Sequence, residues 1–128
     1  MPDRRVLRRG SLEACFPGRP GPDEDKLKTF RQRALVLGLL KQGVKKYLAI
    51  FGHGSTDLGD VLRIYEEEGV TRTFNFRNEV EMAHAATALR WQYGETPAVV
   101  TSIWPGAVQA FAGLLASASN GVGVDHIY

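Results

Sequence analysis

The 128-residue chain is 44% apolar, 23% charged and 9% aromatic, a composition that excludes disordered and collagen-like proteins and fits one globular domain. Its only cysteine, Cys15, excludes an internal disulfide framework or a cysteine-built zinc cage and fits a reducing compartment, so the cytoplasm is the expected location. The net charge of +2 is uneven: Arg4, Arg5, Arg8, Arg9 and Arg19 face only Asp3 and Glu13, leaving +3 in the first twenty residues and −1 in the rest.

A near-neutral body argues against nucleic-acid binding by phosphate neutralisation, and the proline-broken start reads as a solvated, poorly ordered arm. The arginines are followed by no apolar stretch of the kind a signal peptide requires, and no run approaches the roughly 20 apolar residues of a membrane helix, so neither a nucleic acid nor a membrane is an expected partner. Gly18 to Asp25, GRPGPDED, reads as a linker, which puts an arm and linker at 1–25 and a folded domain at 26–128. Phe30, Ala34, Leu37 and Leu40 or Gly38 recur at helical spacing until Gly43, predicting an amphipathic helix with these residues inward.

Tyr47 to Phe51 is a short apolar run ending at Gly52-His53-Gly54, the pattern of a buried strand. Thr56 is the predicted cap of a helix with Leu58, Val61, Leu62 and Tyr65 on its apolar side, closed by Glu66 to Gly69. A strand over Thr71 to Phe76 follows, then a helix capped by Asn78 and running to about Tyr93. Pro97 to Ile103 reads as a strand, Pro105 starts a helix ending near Gly121, and Val124 to Tyr128 begins a last strand. This alternation, with short connections, predicts the α/β class: a doubly wound parallel sheet with helices on both faces. Ligands of such sheets gather at the carboxyl ends of the strands, which singles out the loops His53 to Thr56, Arg77 to Glu79 and Ser102 to Gly106.

Gly52 to Gly59 lies where a nucleotide-binding turn would, but position 57 is Asp57 rather than a third glycine, and no P-loop lysine follows. A tight turn needing small residues and a turn whose N–H groups meet a ligand remain even readings. His53, leaving a central strand, is placed for proton transfer or substrate contact, or is a plain loop histidine. Glu81 and His84 have Glu-x-x-His spacing, but the further carboxylates of such a metal site are not evident, and His84 is expected to pack or cap on its helix. Glu79 stands in the first turn of a helix rich in small residues, Ala83, Ala85, Ala86 and Ala88, whose face admits another helix, a subunit or a flat ligand. Taken alone, a carboxylate there is explained by the helix dipole.

Three segments carry a resemblance: Ile50-Phe-Gly-His-Gly54, Arg77-Asn-Glu-Val-Glu-Met-Ala-His-Ala-Ala86 and Pro97-Ala-Val-Val-Thr-Ser-Ile-Trp-Pro-Gly-Ala107. Together they resemble the pyrimidine-binding domain of thiamine diphosphate-dependent enzymes, in the acetolactate synthase-like superfamily, with motifs most similar to the trihydroxycyclohexanedione hydrolases. The resemblance runs from about Phe30 to the last residue. It implies that Glu79 hydrogen-bonds N1′ of the cofactor's aminopyrimidine, favouring the 4′-imino tautomer that takes the proton from thiazolium C2. Such proton sharing implies a dry pocket. The resemblance further implies that His53 and Gly54 lie at the substrate edge, while Ser102, Trp104, Pro105 and Gly106 line the pyrimidine pocket.

One departure is Trp104-Pro105-Gly106, where the family commonly has Gly-Pro-Gly; the indole is expected either to fill pocket space or to stack on a ring. The other is extent. Nothing in the sequence matches the separate domain that holds the diphosphate and its magnesium ion, and the chain stops as a fourth strand starts, so it reads as an incomplete domain that is inactive alone. The implied partners are a small carbonyl substrate and a second copy or a diphosphate-binding subunit, docked on the Ala-rich helix. The rival readings are an oligomerising α/β module without cofactor and a flavodoxin-like domain for another small anion.

Overall fold

The computed structural model describes residues 23–128. The basic arm and most of the expected linker lie outside them, and the first helix reaches back to Asp23, into the last three residues of that linker. The elements in chain order are α1 (Asp23–Lys41), β1 (Lys46–Ala49), α2 (Thr56–Glu67), β2 (Arg72–Asn75), α3 (Glu79–Tyr93), β3 (Ala98–Val100), α4 (Trp104–Ser119) and β4 (Asp125–Ile127). All four strands are parallel, in the order β2-β1-β3-β4. The alternation expected from the sequence is therefore the architecture found.

This order reverses direction at β1. The chain steps from β1 outward to β2, then crosses back over β1 to β3, so α1 and α2 share one face of the sheet and α3 and α4 the other. Strand residues alternate between the faces. Tyr47, Ala49, Ala98 and Val100 pack with Val36 and Leu39 of α1 and with Leu58, Val61, Leu62 and Tyr65 of α2. Leu48 and Val99 pack with Met82 and Ala86 of α3. β1 and β3, covered on both faces, are wholly apolar from Tyr47 and Ala98 onward, whereas edge strand β2 leaves Arg72, Phe74 and Asn75 exposed.

Two local expectations are corrected. The buried stripe of α1 is Val36 and Leu39, with Leu37 and Leu40 half-buried, while Phe30 and Ala34 are exposed. Leu35 to Leu40 is apolar around nearly the whole helix, so periodicity could not choose its inward face. Ser55, not Thr56, occupies the N-cap position of α2, and its side chain makes no cap bond. Its hydroxyl instead accepts from the Gly52 N–H at 3.0 Å and donates to the Gly52 carbonyl at 3.2 Å. No helix among the described residues is long and apolar enough to cross a membrane.

Candidate functional site

The loops after β2, β1 and β3 leave neighbouring strands at the same edge of the sheet, and the structure brings all three together at the topological switch point. Between the first and third, Ser102 Oγ donates to the His53 carbonyl at 3.1 Å. Gly52 allows this approach: a Cβ on it would stand 2.6 Å from Ser102 Oγ. Gly54 has φ +95°, a left-handed conformation, and a Cβ there would meet Ile103 Cγ2 at 2.9 Å. With the Gly52 N–H bonded to Ser55, the tight-turn reading holds for that glycine. The His53 side chain is exposed.

Glu79 and Gly106 form the second junction. Asn78 caps α3 from extended backbone, its Oδ1 accepting from the Glu81 N–H at 3.0 Å, which makes Glu79 the first residue of the helix. Gly106 is the third residue of α4 and is buried. A Cβ on Gly106 would lie 3.2 Å from Glu79 Oε1 and 3.6 Å from Thr101 Cβ. The carboxylate thus rests on bare backbone in the first turn of a second helix, with two helix N-termini nearby. Glu79 is half-buried, and its carboxylate has no hydrogen-bond partner among the described residues.

This junction exists because α3 and α4 pack at backbone range. A Cβ on Gly113 would meet Ala83 Cβ and the Val80 carbonyl, each at 2.7 Å. Ala83, Ala86, Ala107 and Ala110 are buried. Of the small residues of α3, expected to admit another helix, a subunit or a flat ligand, Ala83 is met by α4 of the same chain, while Ala85 is half-buried and Ala88 exposed. The exposed apolar stripe is on α4 instead: Trp104, Val108, Phe111 and Leu115. Trp104 is 73% exposed, so its indole fills no interior space beside Glu79. Pro105 sits in the first turn of α4, where its missing N–H breaks no helix bond.

His84 is exposed, with no packing or capping role of the kind expected from its helix, and Glu81 is exposed as well. Among the described residues no three His, Cys, Asp or Glu side chains cluster closely enough to hold a metal ion. One polar pair escaped the sequence reading. His126 on β4 stands 3.0 Å from Thr101 Oγ1 through Nε2, and its ring contacts Phe111 and Tyr128. The two residues are far apart in sequence and joined only by strand pairing, so no local motif could have disclosed them.

The site offers what an aminopyrimidine requires: a half-buried carboxylate, unpartnered among the described residues, available to a ring nitrogen and seated on the bare backbone of Gly106. A search of the curated proteins finds no match for this chain. Residues 31–127 match the thiamine pyrophosphate enzyme, N-terminal TPP binding domain, a span of three-quarters of the sequence that takes in Gly52, Glu79 and Gly106. The chain belongs to the family of N-terminal TPP-binding domains of thiamine pyrophosphate enzymes.

Proposed function

We propose that this chain supplies the aminopyrimidine side of the active site in an acetolactate synthase-like enzyme that acts on a bond beside a carbonyl. The observation that carries this reading is the Glu79 carboxylate, unpartnered among the described residues and resting on Gly106 at the switch point. Thiamine diphosphate, when bound, supplies a carbon acid whose conjugate base attacks carbonyl groups. Glu79 holds and releases a proton at N1′ of the pyrimidine, and Gly106, lacking a side chain, seats that carboxylate against backbone. Ser102, Trp104 and Pro105 border the ring, and Gly54 and His53 border the substrate. The Phe-Gly-His-Gly and Arg-Asn-Glu motifs favour a trihydroxycyclohexanedione hydrolase-like member.

Such a site is completed by a diphosphate-binding domain carrying magnesium, on a partner subunit or a second copy in the cytoplasm. The apolar stripe of α4, which begins at Trp104 beside the site, supports that pairing. The test is a tryptophan-fluorescence titration with thiamine diphosphate and magnesium, read against Trp104→Phe as the control for signal from Trp91. Saturable quenching that disappears in Trp104→Phe and weakens in Glu79→Gln is the expected result. Equal affinity in Glu79→Gln overturns the assignment of Glu79. No response from the parent chain at millimolar ligand leaves a half-site that needs its diphosphate-binding partner and the module without cofactor, and repeating the titration with that partner present separates the two.

A further inference from the structure

We infer that His126 is a positioning residue for the Glu79 site, acting through Thr101. The inference deepens the cofactor reading but rests on a separate set of contacts. Thr101 is only 1% exposed and sits immediately after β3, its N–H bonded to the Ile127 carbonyl at 3.0 Å. It shares the α3/α4 face with Val99, two residues earlier, and Val99 lies beside His126 in the strand register. The imidazole therefore stands on the same face and reaches along the sheet towards its carboxyl edge, where Nε2 meets Thr101 Oγ1 at 3.0 Å.

The other ring nitrogen leaves this bond as the polar tie of the ring among the described residues. His126 Nδ1 is buried with no hydrogen-bond partner among the described residues. Nε2 is thus the ring nitrogen that ties His126 to Thr101. Phe111 packs edge-on against the ring at 5.6 Å and Tyr128 lies at 5.2 Å, so the imidazole is held by two further rings.

What this bond holds is one wall of the site. Thr101 Cβ and the Glu79 carboxylate both border Gly106, 3.6 Å and 3.2 Å from where a Cβ would stand. Thr101 meets Gly106 through Cβ, which no rotamer moves; what the rotamer sets is which γ atom is turned towards Gly106, and a γ atom turned there would press on the seat of the carboxylate. A shift of a few tenths of an ångström matters there, because a binding constellation depends on supports whose own rotamers are locked.

The test uses the full chain without ligand, reading the Gly106 amide and the Glu79 carboxyl carbon by NMR. His126→Phe keeps the ring volume and removes the imidazole nitrogen; Thr101→Val removes the hydroxyl at constant shape. Both resonances are expected to move in both variants. His126→Gln, whose side-chain amide can occupy the Nε2 position, is expected to restore them, whereas His126→Asn, which mimics Nδ1, is not. Thiamine diphosphate affinity should follow the same pattern, falling roughly tenfold without the bond. Unmoved Gly106 and Glu79 signals in folded His126→Phe overturn the inference. If that variant does not fold, indistinguishable spectra for His126→Gln and His126→Asn overturn it equally. Failure of the parent chain to bind thiamine diphosphate counts against the cofactor reading alone, since the resonance comparison needs no ligand.

Discussion

The two faces of the sheet are held by different means. Beneath α1 and α2 the core is bulky, built from Val36, Leu39, Val44, Tyr47, Leu58, Val61, Leu62 and Tyr65. Beneath α3 and α4 it is partly made of absence: Ala83, Ala86, Ala107, Ala110 and Gly113 bring two helix backbones together. Large side chains contribute stability by removing apolar area from water. Small ones contribute less of that, but they set distances between backbones, and the Glu79 to Gly106 junction depends on such a distance. The division of labour puts stability on one face and site geometry on the other.

The comparison breaks most readily at the bulky face. Leu62→Ala leaves a cavity under α2 and should lower unfolding free energy by about 3 kcal/mol, while the surviving folded fraction keeps its thiamine diphosphate affinity. Denaturant melts and the fluorescence titration, run on the same sample, separate the two quantities. Gly113→Ala is the counterpart on the other face. Its methyl meets the Val80 carbonyl and Ala83 at 2.7 Å, so α4 must move off α3. The expected cost is about 2 kcal/mol, with ligand affinity lost well beyond what Leu62→Ala produces. Equal effects of the two variants on affinity would abolish the distinction between the faces.

Two smaller effects sharpen it. The Tyr47 hydroxyl is buried among the bulky residues with no hydrogen-bond partner among the described residues, and burial, followed by Tyr65 and Asp125, pushes its pKa up. Removing it in Tyr47→Phe should raise stability by about 1 kcal/mol without touching the site. On the small-residue face, burial lowers the pKa of His126 from its ordinary 6.5. The unfolded chain then takes up the proton first. Stability is fully present above pH 6.5 and declines as pH falls from there towards the lower folded value, levelling off below it. The slope is shallow because the residue is only half-buried. Melting temperatures between pH 7 and pH 5 should show a decline that His126→Gln removes.

Much of this was readable in the sequence where one element type had one solution. β1 and β3 are short apolar runs bounded by glycine, serine or proline, and Asn78 sits where its side chain caps α3. With the strands in place, parallel topology alone put the loops bearing His53, Glu79 and Ser102 on one edge. Partnership between faces was not readable. The apolar run around α1 gave no preferred side, and the alanines of α3 announced a close neighbour without saying that it was α4. The contact of Thr101 with His126 depends on the pairing of β3 with β4, which neither strand encodes locally. Trp104 likewise carried no local sign that its position at the head of α4 would leave it exposed.

The strand order also shapes how the polypeptide emerges during synthesis. β1 lies at the centre of the sheet, yet its neighbour β3 is made about fifty residues later, after β2, its neighbour on the other side. Until then one edge of β1, carrying Tyr47, Leu48 and Ala49, stays open, and an open apolar edge is a template for pairing with another nascent chain. The same delay keeps Ser102 from His53 and Gly106 from Glu79. The growing chain passes through its most aggregation-prone interval just before its site exists, so a holdase acting on ribosome-bound intermediates should raise the soluble yield more than any change to the finished surface.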